Sequence, residues 1–128
     1  MRLKNSGFTL IEMMIVVAIV SILVAIAIPN MLKAKMAANE SAAKTYLRTL
    51  QSAAETYAFA HSGVYPSNIT ALKEYMPSAD QYCGHTLQGY TYNCTYGSNY
   101  VYTAAPQTPG ITGNTTFNAT AGGAFSPL

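Results

Sequence analysis

The sequence predicts an α+β protein in which one long amino-terminal helix packs on a small antiparallel sheet of three or four strands. Three observations lead there. The sixteen residues from Met13 to Ile28 include a single polar side chain, Ser21. Apolar residues at helical spacing follow, from Met36 to Tyr57. Later, Tyr90 to Tyr96 and Asn99 to Ala105 alternate with the period of two expected of half-buried strands. Half of the 128 residues are hydrophobic and 9% are charged, against roughly 25% charged in an ordinary soluble domain. A disordered chain needs the opposite balance, and a free cytosolic enzyme of this size is also disfavoured. The composition is that of a membrane-inserted segment attached to a small polar domain.

The first element spans Phe8 to Ile28, twenty-one residues. As a helix it would be about 31 Å long, matching a bilayer core of about 30 Å. Arg2 and Lys4 precede it, as expected of a segment whose start stays in the cytoplasm. A secretory signal peptide shares the basic start, and Ala25-Ile26-Ala27 imitates its cleavage site. The apolar region is longer than the usual stretch of about 7–15 residues, and it carries Glu12 near its front. A plain transmembrane anchor leaves Glu12 unexplained, because a carboxylate in hydrocarbon costs roughly 2.5–3.5 kcal/mol. An acid there needs a partner.

Ser6-Gly7-Phe8-Thr9-Leu10-Ile11-Glu12, the apolar run and Pro29 together resemble the class III signal of type IV pilins and type II secretion pseudopilins. The resemblance implies a leader over residues 1–7, cut by a membrane-embedded prepilin peptidase between Gly7 and Phe8. The same enzyme would methylate the new amino terminus on Phe8. It further implies that Glu12 pairs with the Phe8 amine of a neighbouring subunit, or of its own chain, inside a filament core. Opposite charges in low dielectric attract strongly. Such a pair acts as a register device rather than a source of stability, since buried ion pairs often do no better than apolar isosteres. The alternative is a Glu12 that snorkels to a headgroup.

Pro29 stands where the bilayer-length segment ends, and an internal proline removes a helix hydrogen bond, so a kink or a melted turn is expected. In the family the matching stretch is unwound in the assembled filament. Beyond it, Met36, Ala43, Leu47, Leu50, Ala54 and Tyr57 form one apolar stripe. Lys35, Glu40, Lys44, Arg48 and Glu55 fall on the opposite face, with Glu40 and Lys44 placed as an i,i+4 pair. Ser62-Gly63 stops the helix. The organisation is thus leader 1–7, transmembrane or filament-core helix 8–30, amphipathic helix 31–62, and a loop-and-sheet head 63–128.

In the head, Asn68 to Met76 reads as a short helix closed by Pro77, and Gly97-Ser98 as a tight hairpin turn between two strands. Thr115 to Thr120 is a third strand, and a last one follows Gly122-Gly123. A sheet laid on the helix stripe closes the core. The layout resembles the pilin head, including the Gly63-Val64-Tyr65-Pro66 turn common in pilin and pseudopilin sequences.

Cys83 and Cys94, in a domain expected outside the cytoplasm, read as one disulfide. The alternative is a metal site that adds His85, three ligands at an unfamiliar spacing. His61 ends the amphipathic helix with no acidic or cysteine partner nearby and reads as a surface or interface side chain. No nucleophile with an obvious base, no paired acids and no phosphate loop occur, so no catalytic residue, resident metal or cofactor is expected. The ten tyrosines fit either core packing or a contact surface. Triplets at Asn39, Asn68, Asn93, Asn114 and Asn118 fit the N-glycosylation pattern. Two of the seven basic residues, Arg2 and Lys4, lie in the leader, so five face five acids in the remainder. A neutral body has no basic footprint for nucleic acid.

The expected function is a structural, major-pilin-like subunit of a type IV pilus, with the major pseudopilin of a type II secretion system as the alternative. The resemblance implies a homopolymer filament, the prepilin peptidase/N-methyltransferase, an inner-membrane assembly platform with its ATPase, and membrane lipid before assembly. It places the chain in the bacterial inner membrane first, then in an extracellular pilus or a periplasmic pseudopilus. Major pseudopilins typically carry an acid-lined calcium loop near the carboxyl terminus; here only Asp80 follows Glu74. Two departures from pilins are Met31, where many carry an aromatic, and a cysteine pair placed earlier than usual.

Overall fold

The computed structural model describes residues 7–128. The rest of the expected leader, including Arg2 and Lys4, lies outside the described residues. Helix α1 runs Leu10–Ala60 and helix α2 Ile69–Lys73, followed by a 3-10 turn at Ala79–Gln81. The strands are β1 Thr86–Leu87, β2 Tyr90–Thr95, β3 Val101–Pro106, β4 Phe117–Thr120 and β5 Ala124–Pro127. Two compact units divide between Ala34 and Lys35.

In the first unit α1 is apolar on every side. Its most apolar stretch has mean hydropathy 2.9 and none of it is buried. A helix that is hydrophobic all round requires lipid or partner helices to cover it. Ser21 is compatible with that setting because its hydroxyl donates to the Val17 carbonyl at 2.7 Å. The helix assignment continues through Pro29 without a break.

In the second unit, α1 lies on one face of a five-stranded antiparallel meander ordered β1-β2-β3-β4-β5. The expected stripe is the buried one: Ala43, Leu47, Leu50 and Ala54 are fully covered. The sheet answers with Tyr90, Tyr92, Tyr102, Ala104, Phe117 and Ala119 on its inner face. Register explains how these share a side: Cys94 stands opposite Tyr102, Tyr102 opposite Ala119, and Ala119 opposite Phe125. The intervening positions line the outer face. Its central row is Asn93, Thr103, Asn118 and Ser126, with Thr91 and Ala105 on one side and Thr95, Val101, Thr120 and Ala124 on the other.

The structure corrects two expectations. The sheet has five strands rather than three or four, because β1 is a two-residue strand, too short to display alternation. Gly97-Ser98 is not a tight two-residue turn: Thr95 pairs with Val101, leaving a five-residue loop from Tyr96 to Tyr100. A two-residue turn would slip the register by one and send Tyr102 to the outer face. Burial of the Tyr102 ring therefore selects the longer loop. The expected stop at Ser62-Gly63 is present: both residues lie in the left-handed region, at φ 57° and 88°, and Gly63 N–H reaches back to the Ala58 carbonyl at 2.7 Å.

Candidate functional site

The amino-terminal end of α1 is a capping box. Thr9 N–H donates to Glu12 Oε2 at 2.7 Å and the Thr9 hydroxyl donates to the same oxygen at 2.8 Å. Glu12 N–H in turn donates to Thr9 Oγ1 at 3.3 Å. The pattern Thr-x-x-Glu satisfies donors that would otherwise be orphaned where a helix begins. The pattern is legible in the sequence at Thr9 and Glu12 as the start of a helix. Gly7 precedes the helix and a Cβ added there would meet nothing within 4 Å. Phe8 is 82% exposed. The peptide bond between Gly7 and Phe8 thus stands clear of the helix, one turn from the Glu12 carboxylate.

In the second unit, polar side chains of α1 grip the loops of the sheet. Asn39 Nδ2 donates to the Thr112 carbonyl at 2.9 Å, and Glu40 Oε1 accepts from Asn114 N–H at 3.0 Å. Gln51 Nε2 donates to the carbonyls of Thr120 at 3.2 Å and Ala124 at 2.9 Å. Glu55 accepts the most. Its Oε1 takes Tyr100 OH at 2.6 Å, Gly122 N–H at 2.9 Å and Gly123 N–H at 3.2 Å, and its Oε2 takes Tyr65 OH at 3.2 Å. Gly122 and Gly123 both have left-handed backbone, φ 81° and 79°, which turns their successive N–H groups towards one anion.

This overturns the view of Glu40 and Glu55 as members of a solvated face. Among the described residues Glu40 forms no ion pair with Lys44; Lys44 instead sits 5.0 Å from the centre of the Phe117 ring. Arg48 lies likewise 5.2 Å from the Phe125 ring centre. Asn39 and Gln51 are buried members of the stripe that sequence reasoning missed. For Asn39 the signal was the seven-residue gap between Met36 and Ala43, which a helical stripe should fill at that position.

Cys83 and Cys94 form a disulfide, Cα atoms 5.4 Å apart. Both sulfurs are therefore engaged, and the metal alternative with His85 is set aside; among the described residues no group of three His, Cys, Asp or Glu side chains comes together. In the chain-entropy view a loop this short contributes about 2–3 kcal/mol. His61 is exposed and stacks on Tyr57, ring centres 3.9 Å apart. Of the glycosylation triplets, Asn39 is buried and Asn68 caps α2 by accepting from Ala71 N–H at 2.8 Å. Lys73 donates to Asp80 at 2.7 Å, which holds the Asp80 carboxyl below its usual range.

Tyrosines fill the core. Tyr90, Tyr92, Tyr100 and Tyr102 are wholly buried, and Tyr100 stacks on Tyr102 with ring centres 4.6 Å apart. Tyr90 OH donates to the Thr115 carbonyl at 2.9 Å. Among the described residues the hydroxyls of Tyr92 and Tyr102 find no partner. Desolvation pushes the pKa of Tyr90, Tyr92, Tyr100 and Tyr102 up, and that of Tyr96 to about 12. At Tyr100 the hydrogen bond to the Glu55 carboxylate adds to it.

Residues 2–28 match the family model for the prokaryotic N-terminal methylation motif. The competence protein ComGC of Halalkalibacterium halodurans is 39% identical over 69 residues, 54% of this chain and 67% of that protein. This chain belongs to the type IV pilin and pseudopilin family. The type IV major pilin PilA of Myxococcus xanthus is 54% identical over 54 residues, 42% of this chain but 24% of that protein. The type II secretion system core protein G of Vibrio cholerae is 39% identical over 70 residues, 55% of this chain and 47% of that protein. The chain thus spans about a quarter of the Myxococcus pilin and about half of the Vibrio protein. No solved structure matches. Pilins and pseudopilins are structural subunits rather than enzymes, in keeping with a structure whose polar side chains are spent on holding the sheet to the helix.

Proposed function

We propose that this chain is a major-pilin-like structural subunit of a type IV pilus. One observation carries the reading: a Gly7-Phe8 bond and a Glu12 carboxylate at the mouth of a helix that is apolar on all sides and wholly uncovered. Residues 1–7 are removed by a prepilin peptidase/N-methyltransferase, which cuts between Gly7 and Phe8 and methylates Phe8. Cleavage replaces an amide with an ammonium one turn from Glu12. The carboxylate, until then satisfied by Thr9, then has a cationic partner on its own chain or on a neighbour. Before assembly the helix rests in inner-membrane lipid with the head outside the cytoplasm. In the filament, neighbouring helices cover it. Pro29, which offers no N–H to the Ala25 carbonyl, is the weak link at which α1 melts or bends on assembly. The remaining partners are the inner-membrane platform and its ATPase; no nucleic acid is required.

The resemblance to secretion protein G favours a second reading, a major pseudopilin in a short periplasmic filament. The absence of any Asp or Glu after Asp80 weighs against it, because an acid-lined calcium loop cannot be built there. Electron microscopy of sheared surface filaments tests the choice. A pilus subunit gives long filaments containing this chain, and Glu12→Gln abolishes them while the processed chain stays in the membrane. A chain confined to the cell envelope, whose deletion stops export of other proteins, decides for the pseudopilus. Undiminished function of Glu12→Gln contradicts both and leaves a membrane-anchored module that never polymerises.

A further inference from the structure

The turn between β3 and β4 is closed on itself. Ile111 and Thr112 N–H donate to the Thr108 carbonyl at 3.1 and 2.9 Å, and Gly110 N–H donates to the Gly113 carbonyl at 3.0 Å. Thr108 N–H donates to Thr112 Oγ1 at 3.0 Å, and the Thr112 hydroxyl donates back to the Thr108 carbonyl at 3.1 Å. Gln107 N–H is taken by the Gly89 carbonyl at 2.8 Å, and Pro109 has no N–H. From Gln107 to Thr112 no backbone donor therefore needs water. At the tip Ile111 is 54% exposed. No Asp, Glu, Lys or Arg side chain occurs from Gln81 to Leu128, so the turn is uncharged. An exposed isoleucine on a neutral turn with a satisfied backbone suits an apolar boundary better than water.

The turn hangs on the first turns of α1 in the second unit. Asn39 Nδ2 holds the Thr112 carbonyl at 2.9 Å, and Glu40 Oε1 holds Asn114 N–H at 3.0 Å. Strand β5 finishes at the same end of the sheet, where Pro127 pairs with Phe117 and Leu128 N–H donates to the Thr116 carbonyl. That places a second exposed apolar side chain, Leu128, at this end. Chain length limits the distance from here to a membrane. Lys33 is the first charged residue after Glu12, and Asn39 follows it by six residues. Six residues span about 9 Å as helix and about 20 Å at full extension. The headgroup zone is about 5–8 Å deep on each side of a bilayer.

We propose that the Ile111 turn docks into the headgroup–acyl boundary of the bilayer that holds the first helix, so that the head rests on lipid at this end before assembly. The proposal rests on the reading of the first helix as membrane-embedded, and it is independent of the choice between pilus and pseudopilus. The size of the contact favours lipid over a protein partner. A stable pairwise interface needs about 800 Å² on each side, far more than one turn presents. A group already tethered to the bilayer needs only a weak contact to stay docked, because the tether supplies a high effective concentration. Removing one isoleucine side chain from water changes the docked-to-free ratio about tenfold.

Fluorescence quenching tests this on the full chain, reconstituted at low density in phosphatidylethanolamine–phosphatidylglycerol vesicles that contain a nitroxide-labelled lipid. An environment-sensitive label is placed in turn on Thr108→Cys beside the tip, on Val64→Cys and on Ile22→Cys. Val64 is exposed past the far end of α1, and the helix from Asn39 to Ala60 is about 31 Å long. The label at position 108 should be blue-shifted and quenched, and the one at 64 should be neither. Adding Ile111→Ser should lower the docked-to-free ratio read at position 108 about tenfold, and Ile111→Leu should retain it. An unquenched label at 108, equal quenching at 108 and 64, or no response to Ile111→Ser would overturn the proposal. So would a blue shift at 108 that appears only as protein density rises, since a second copy would then be the occupant. An unquenched label at position 22 would overturn the membrane reading and this proposal together, whereas quenching at 22 without quenching at 108 overturns this proposal alone.

Discussion

Tyrosine hydroxyls are the residue-scale signature of this head. Tyr90, Tyr92, Tyr96, Tyr100 and Tyr102 all have pKa values raised chiefly by desolvation. Their folded values lie above the unfolded value of about 10. Between the two, the unfolded chain sheds protons that the folded chain retains, so stability falls as pH rises. The contribution is complete below about pH 10 and disappears as pH climbs towards the folded values. Ultraviolet titration of the processed chain in detergent should therefore show these rings ionising together with loss of the sheet's circular dichroism. Five phenolates forming while the sheet remains intact would contradict the buried assignment. The sequence disclosed that the rings were numerous and alternating. It did not disclose that Tyr102 faces inward, because that depends on a loop one residue out of phase with the obvious turn.

At the scale of elements, α1 is legible almost from end to end. Periodicity marked Ala43, Leu47, Leu50 and Ala54, and the structure buries each of them. Charge alone misplaced Glu55, since a carboxylate on a helix surface reads as solvated until the chain returns from far away to meet it. Gly122 and Gly123 are more than sixty residues distant in sequence and donate two N–H groups to it. Local patterns do not record that encounter, nor the grip of Asn39 and Gln51 on the turns. Glu55→Ala removes the acceptor shared by the β4–β5 turn, Tyr65 and Tyr100. It should destabilise the head by roughly 2–3 kcal/mol. Hydrogen exchange should accelerate first at Gly122 and Gly123, measured on the processed chain alongside urea unfolding. Unchanged exchange at both glycines would show that the turn does not depend on Glu55.

For the whole molecule, an uncovered apolar helix and a neutral, disulfide-closed head divide the work. The helix presents surface that only lipid or partner helices can cover, while the head closes its own core with the sheet and the disulfide. Family membership follows from the motif match over residues 2–28 and from relatives among pilins, competence proteins and secretion-system proteins. Those relatives share the helix, so the helix cannot distinguish their roles. We propose that the chain works only after Gly7 is parted from Phe8. Intact-mass and amino-terminal analysis of the subunit purified from its native membrane or filament tests this most directly. The expected chain begins at Phe8, carries one methyl group on its amine, and is two hydrogen atoms lighter for the Cys83–Cys94 bond. A mature chain that still carries Met1 to Gly7 would contradict the account.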